Sequence, residues 1–309
     1  MNSIYFTLKE NWEQNNFHWM NIFFLTLIHL SAFYAVTLFP LAKWETLCFA
    51  IFLWPLSCLG ITAGVHRLWA HRSYQATFSY RLLLMLMNSV ANQGSIYRWA
   101  RDHRLHHKYS ETSCDPHNAK RGLFFSHIGW LFLKKNSQVL NAGKKIDCSD
   151  LLADPIVMFQ HRYDPWFSQI CCFGVPTVIG MYFWQENFKN VFFICGIFRY
   201  VCTLHFTWLV NSVAHLYGNR PYDKTISPAE NWFVSIFSIG EGWHNWHHRY
   251  PYDYAASEFG IHKQFNPTKA WIDFFAKLGM VSKRKRALGA WKKQKERFES
   301  LNRTPFVVN

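Results

Sequence analysis

The sequence predicts an all-α integral membrane protein: four transmembrane helices in two hairpins, with a cytosolic helical cap holding a histidine-rich site. Three observations carry this. Half of the 309 residues are apolar, and they fall in four long blocks. The links inside each pair of blocks are short. The charge, 33 Lys and Arg against 19 Asp and Glu for a net +14, lies almost wholly outside the blocks. An aromatic content of 19% excludes a disordered chain. The eight cysteines (48, 58, 114, 148, 171, 172, 195 and 202) form no C-x-x-C pair. They read as small buried hydrophobes in a reducing compartment, not as a disulfide framework.

Residues 1–17 carry Glu10 and Glu13 and no apolar run, so they read as a cytosolic segment and not a signal peptide. The first span covers 18–42 and the second 46–65, joined by Lys43-Trp44-Glu45. About a hundred mostly polar, basic residues follow. The third span, 166–184, and the fourth, 191–216, are again joined by a short link. The membrane domain is thus 18–278, followed by a basic cytosolic tail, 279–309. An even number of spans puts both termini and the central segment on one side. The Lys and Arg concentrated there make that side the cytosol. Trp19, Trp44, Trp166 and Trp184 sit near span ends, where interfacial aromatics are favoured. Leu82–Val90 is apolar but too short to span, so it is re-entrant or buried. Trp271, Phe274, Phe275 and Leu278 form one helical face that either lies on the interface or packs on the core. Residues 283–286 (KRKR) read as a solvated basic face near anionic lipid.

The chemistry lies in the 16 histidines, which cluster. His66 and His71 form H-x-x-x-x-H. His103, His106 and His107 form H-x-x-H-H, and His244, His247 and His248 repeat it. On an α-helix, positions i, i+3 and i+4 share a face, so each triplet is a metal half-site. His66 and His71 would lie about 140° apart at 3.6 residues per turn. They must bind different metals, or the helix must end between them. Eight clustered imidazoles are too many for one metal and argue for two; imidazole suits iron, copper and zinc. His215 would be a ninth ligand, and Asn211, one turn before it, could hold a bound water. His18, His29, His161, His205 and His262 read as structural or interfacial. His117 and His127 are candidate partners behind the ligands. Glu111, Asp115 and Glu241 could orient ligand imidazoles, although Asp115-Pro116 equally suits a turn. The absence of H-E-x-x-H leaves zinc peptidase chemistry without support. The nearly carboxylate-free set is also unlike the Glu-rich di-iron sites of soluble four-helix bundles. A redox iron pair beside lipid suggests oxidation of an unactivated C–H bond by O₂.

At these residues the sequence resembles the membrane acyl-CoA desaturases, in particular the stearoyl-CoA (Δ9) type, from about Gly60 to Leu278. The resemblance is carried by GITAGVHRLWAH (60–71), WARDHRLHHKYSET (99–112), DPHNAKRGLFFSHIGW (115–130), TWLVNSVAHLYGNRPYD (207–223) and GEGWHNWHHRYPYDY (240–254). It implies nine iron ligands, His66, His71, His103, His106, His107, His215, His244, His247 and His248, with Asn211 acting through water. It implies a cis double bond inserted into a saturated C16–C18 fatty acyl-CoA, a step of fatty acid biosynthesis. O₂ is the cosubstrate, reduced to two waters. The remaining electrons would come from cytochrome b5 and its NADH-dependent reductase. The chain has neither H-P-G-G nor a nucleotide fingerprint, so the donor is expected to be separate, and the basic face suits an acidic heme partner. An endoplasmic reticulum membrane follows from the same resemblance.

The resemblance also implies that Arg101 and Asp102 contact the CoA head and that Lys134 and Lys135 lie near its phosphates. Gln93, Trp99, Thr207 and Trp208 would pinch an acyl tunnel at its bend, with Trp208 near the thioester. Gly94 stands where the family usually has Asn beside the CoA entrance. Burying about 16 methylenes at ~0.8 kcal/mol each supplies roughly 13 kcal/mol to hold the chain kinked. Trp54 and Cys58 lie on one stripe of the second span, and Trp54 either caps the tunnel or faces lipid. A di-iron hydroxylase acting on alkanes or sterols, or a desaturase of different regiospecificity, shares the first C–H step. A metal transporter would need histidines lining the spans. Nucleic-acid binding is excluded because the basic residues lie between spans.

Overall fold

The computed structural model describes residues 11–303. The expectations for residues 1–10 and 304–309 lie outside the described residues. Among the described residues four helices are long and apolar enough to cross a membrane: Trp19–Leu41, Trp44–Ala70, Trp166–Phe183 and Phe188–Leu216. Each begins or ends within a few residues of the predicted limits, with one exception. The second span continues five residues past Val65 as a π-helical segment, Gly60–Ala70, which carries His66 on the span itself. The predicted links are also present. Pro40, in the turn Phe39–Leu41, stops the first helix. At the far end the two hairpins are tied by Glu186, which accepts from the Lys43 backbone N–H at 2.6 Å and from Thr46 Oγ1 at 2.9 Å.

Leu82–Val90 is part of the helix Phe78–Ala91, which packs along the second span and its π-helical segment. Gly60 permits this crossing. A Cβ there would come within 2.3 Å of the Met87–Asn88 backbone. Arg199, buried inside the fourth span, donates to the carbonyls of Cys195, Val90 and Cys172 at 3.0, 2.9 and 2.8 Å. The charge therefore ties three segments instead of meeting lipid.

The cap is built from short helices on the predicted cytosolic side. Ile96–Tyr109 is capped by Ser95, whose side chain accepts from the Arg98 N–H. His244–Arg249 is a single turn and a half. Gln75–Ala76 pairs antiparallel with Val281–Ser282. The helix Pro267–Lys277 divides its apolar face. Trp271 and Phe275 pack on the main core around fully buried Ile272, whereas Phe274 and Leu278 are more than half exposed. The basic run is not a solvated face throughout: Arg286 reaches the buried Asp253 at 2.9 Å, and Arg284 pairs with Asp273. Nor does the tail stand free. Helix Leu288–Arg303 sets Trp291 against Tyr222 and Trp246, and its indole donates to Glu258 at 3.1 Å.

Candidate metal centre

The π-helical segment explains how the first histidine pair works. In that geometry the backbone bond spans five residues, and the His71 N–H donates to the His66 carbonyl at 3.0 Å. Residues five apart therefore stack. The helix ends at Ala70, between the two, as one of the predicted alternatives requires. The two rings lie 4.8 Å apart, centroid to centroid, in the same cluster. The α-helical 140° that would have separated them does not apply, and the two rings offer their nitrogens to one group.

All nine predicted histidines converge, in two groups. The ring nitrogens of His66, His71, His103, His107 and His247 lie within 4.8 Å of one another. Nε2–Nε2 distances are 2.9 Å for His71–His103 and 3.0 Å for both His66–His247 and His107–His247. His106, His215 and His248 form the second group. His244 Nε2 joins it at 3.0 Å from His215 and 3.1 Å from His248. Spacing alone left open which imidazole belongs with which metal. The fold divides them five and four, with Asn211 lining the cavities beside them.

This donor set fits metal cations. Nε2 atoms facing one another at such distances are satisfied only by a proton or a cation between them. Behind three of the rings a carboxylate stands close to Nδ1. Glu241 lies 2.9 Å from His66, Asp115 3.0 Å from His106 and Glu111 3.4 Å from His215. A proton fixed on Nδ1 leaves the Nε2 lone pair pointing into the group. Of the three acidic residues weighed as orienting groups, Asp115 and Glu111 hydrogen-bond the ring they face, whereas Glu241 Oε2 meets His66 Nδ1 at ion-pair distance without a hydrogen bond. His106, Asp115 and His117 also lie close enough to suggest a third group, but there the carboxylate is engaged in orienting His106.

Electrostatics agrees. Burial, reinforced by neighbouring imidazoles, holds His71, His103, His107, His244, His247 and His248 well below the usual histidine value. Burial alone would raise Glu241, but Arg67 and His66 outweigh it and bring its carboxyl down to about 2. Asp115 is likewise held low by His106 against its burial. Sequence reasoning missed Arg67. It is completely buried, donates to Glu241 at 2.6 and 3.1 Å, and reaches the carbonyls of Tyr254 and Ala255 at 3.0 Å. The available signal was a guanidinium one residue after a ligand at the end of an apolar run.

Two adjoining cavities flank the histidines. The inner one is lined by Cys58, Ile61, Thr62, His66, Trp99 and Thr207 among others. The outer, larger one is lined by Gln93, Gly94, Asp102, His117 and Trp208 among others. Trp99, His103, Thr207 and Asn211 line both. Gln93 Nε2 donates to Thr207 Oγ1 at 2.9 Å, closing the neck between them. Residues 42–262 match the family model described as "Fatty acid desaturase". The chain belongs to the fatty acid desaturase family. It is therefore an oxidoreductase, a desaturase with several membrane spans. It is 54% identical over 269 residues (87% of this chain, 80% of the other) to "Stearoyl-CoA desaturase 5" of Bos taurus. It is 51% identical over 268 residues (87% and 74%) to "Stearoyl-CoA desaturase" of Homo sapiens. Identity to "Acyl-CoA Delta-9 desaturase" of Acheta domesticus is 53% over 262 residues (84% and 73%).

Lys134 and Lys135 line a third cavity that shares Pro116 and Trp130 with the outer one, whereas Arg101, Trp54 and His127 line none of the three. Arg101 pairs with Asp102 at 2.9 Å, and Lys135 also pairs with Asp102, so both act around that carboxylate. Lys134 Nζ donates to the Asn15 carbonyl at 2.8 Å. Trp54 is partly buried against the main core. Its indole donates to the Phe237 carbonyl at 3.2 Å, and its ring packs on Phe206 at 5.5 Å. His127 is not behind a ligand. It joins His29 and His205 in a line, with contacts of 3.0 Å for His29–His205, 2.9 Å for His205–His127 and 2.9 Å for His127–Ser212 Oγ.

Proposed function

We propose that the desaturase inserts a cis double bond, at the Δ9 position, into saturated C16–C18 fatty acyl-CoA. The observation that carries this is the pairing of the five-and-four histidine centre with adjoining cavities, one reaching Asp102 and the other lined by Cys58 and Ile61. A double-bonded product requires removal of two hydrogens from unactivated carbons. O₂ takes these with two electrons and two protons to give two waters. Two iron ions, held by the nine histidines with Asn211 acting through a water, would supply the redox chemistry for O₂. The names of the relatives favour acyl-CoA over alkane or sterol substrates, and desaturation over hydroxylation.

The chain's own residues do the positioning. Asp102, with Arg101 and Lys135 around it and Lys134 nearby, meets the CoA head outside the spans. Trp208 lies beside the thioester, and the chain bends at the neck formed by Gln93, Trp99 and Thr207. Cys58 lines the stretch beyond the bend, and Trp54 supports its end wall through Phe206 and the Phe237 carbonyl. Gly94 has open space where a Cβ would stand, so it adds no contact of its own. Electrons arrive from cytochrome b5 and its NADH-dependent reductase, with the basic surface steering the acidic heme protein. The membrane is that of the endoplasmic reticulum, with both termini cytosolic. The test is expression in a yeast lacking its own desaturase, with gas chromatography–mass spectrometry of derivatised fatty acids and His106→Ala as control. Δ9-monounsaturated C16 or C18 from the intact chain alone is expected. Hydroxylated products, or double bonds elsewhere, would overturn the assignment.

A further inference from the structure

Among the side chains lining the outer cavity, His117 stands without a partner. It is 8% exposed, its ring lies 4.3 Å from that of His106 and 5.5 Å from that of Trp130. Among the described residues neither ring nitrogen makes a hydrogen bond. Nδ1 is buried without a hydrogen bond, and no hydrogen bond reaches Nε2, the nitrogen left to accept one from a ligand in the cavity. Nδ1 lies 3.8 Å from Asp115, whose carboxylate favours the proton on that nitrogen. That leaves Nε2 with a free lone pair. The same cavity is lined by Asp102, beside the charged cluster, and by Trp208. Between the phosphates and the thioester of a CoA ester runs a linker carrying amide groups, each with an N–H to satisfy.

We propose that His117 binds this linker, with Nε2 accepting a hydrogen bond from an amide N–H as the head group gives way to the acyl chain. His117 is thus a substrate-binding residue and not a metal ligand. The inference rests on acyl-CoA being the substrate. The experiment measures binding of stearoyl-CoA and of stearoyl-pantetheine, which keeps the linker and lacks the nucleotide, to the purified, iron-loaded enzyme. His117→Leu should weaken both about tenfold, the scale of one lost hydrogen bond. His117→Gln, which keeps an acceptor, should restore most of the affinity, and both variants should hold as much iron as the wild type. Unchanged binding by His117→Leu would overturn the proposal. So would equal loss in both variants, loss of iron, or a deficit seen with stearoyl-CoA and absent with stearoyl-pantetheine. A wild-type enzyme that bound neither ligand would instead sink the substrate assignment.

Discussion

Two groups of histidines sit in this desaturase within one membrane-facing body, and they are built oppositely. In the nine-histidine centre the Nε2 atoms converge, and carboxylates stand behind three of the rings. In the line of His29, His205 and His127 each nitrogen meets a single neighbour, and His205 spends both of its nitrogens on other rings. The end nitrogens reach only the Leu25 carbonyl and Ser212 Oγ. Distances of about 3 Å between ring nitrogens occur in both, so proximity does not distinguish them. Convergence with an anion at the back suits a cation; a chain of single contacts makes a hydrogen-bonded strut beside Trp208, whose ring lies 5.1 Å from that of His205.

The largest effect should follow from breaking the convergence. His106→Ala should abolish desaturation, a fall beyond about a hundredfold, with loss of metal measured on the same preparation. Removing the support behind a ligand should cost less. Glu241→Gln leaves His66 without its anion and Arg67 without its partner, and should lower metal affinity about 10–100-fold in a chelator competition. Acid should act the same way on the whole centre. His71, His103, His107, His244, His247 and His248 are held below the usual 6.5. The unfolded, metal-free state thus takes up protons first as pH falls. Stability and bound iron are retained above about 6.5 and lost together below it, starting near pH 6. Glu241, with an ordinary value of 4.5 and about 2 in the fold, contributes stability that is complete above 4.5 and fades toward 2. Its pair with Arg67 should therefore outlast the iron in an acid titration followed by metal content and circular dichroism.

The strut should respond weakly. His205→Asn should leave iron content unchanged and activity within about threefold, since it removes side-chain contacts but no ligand. Iron loss in this variant would erase the distinction between the two groups. The mildest change is expected at the tunnel end: Trp54→Ala should shift products toward longer chains with total turnover little affected, read by chromatography of the fatty acids.

The sequence made the spans legible because apolar length and charge distribution are local properties. It made the ligands legible because i, i+3, i+4 spacing survives in the helices Ile96–Tyr109 and His244–Arg249. The pairing of His66 with His71 was not legible, because a π-helical segment changes the period and carries no composition signal of its own. The partners of Arg67, and Val90 and Cys172 among those of Arg199, come from segments distant in sequence, so these ties could not be read from local pattern. The line through His29, His205 and His127 escaped for the same reason: no two of its members are neighbours in the chain.

The central claim is that the nine histidines hold two iron ions in a five-and-four division. The most direct test is metal analysis of the purified chain by inductively coupled plasma mass spectrometry, for wild type, His71→Ala and His248→Ala. Two irons per chain in the wild type, with each variant losing chiefly one, would bear it out. A single iron in the wild type, or zinc in its place, would contradict it.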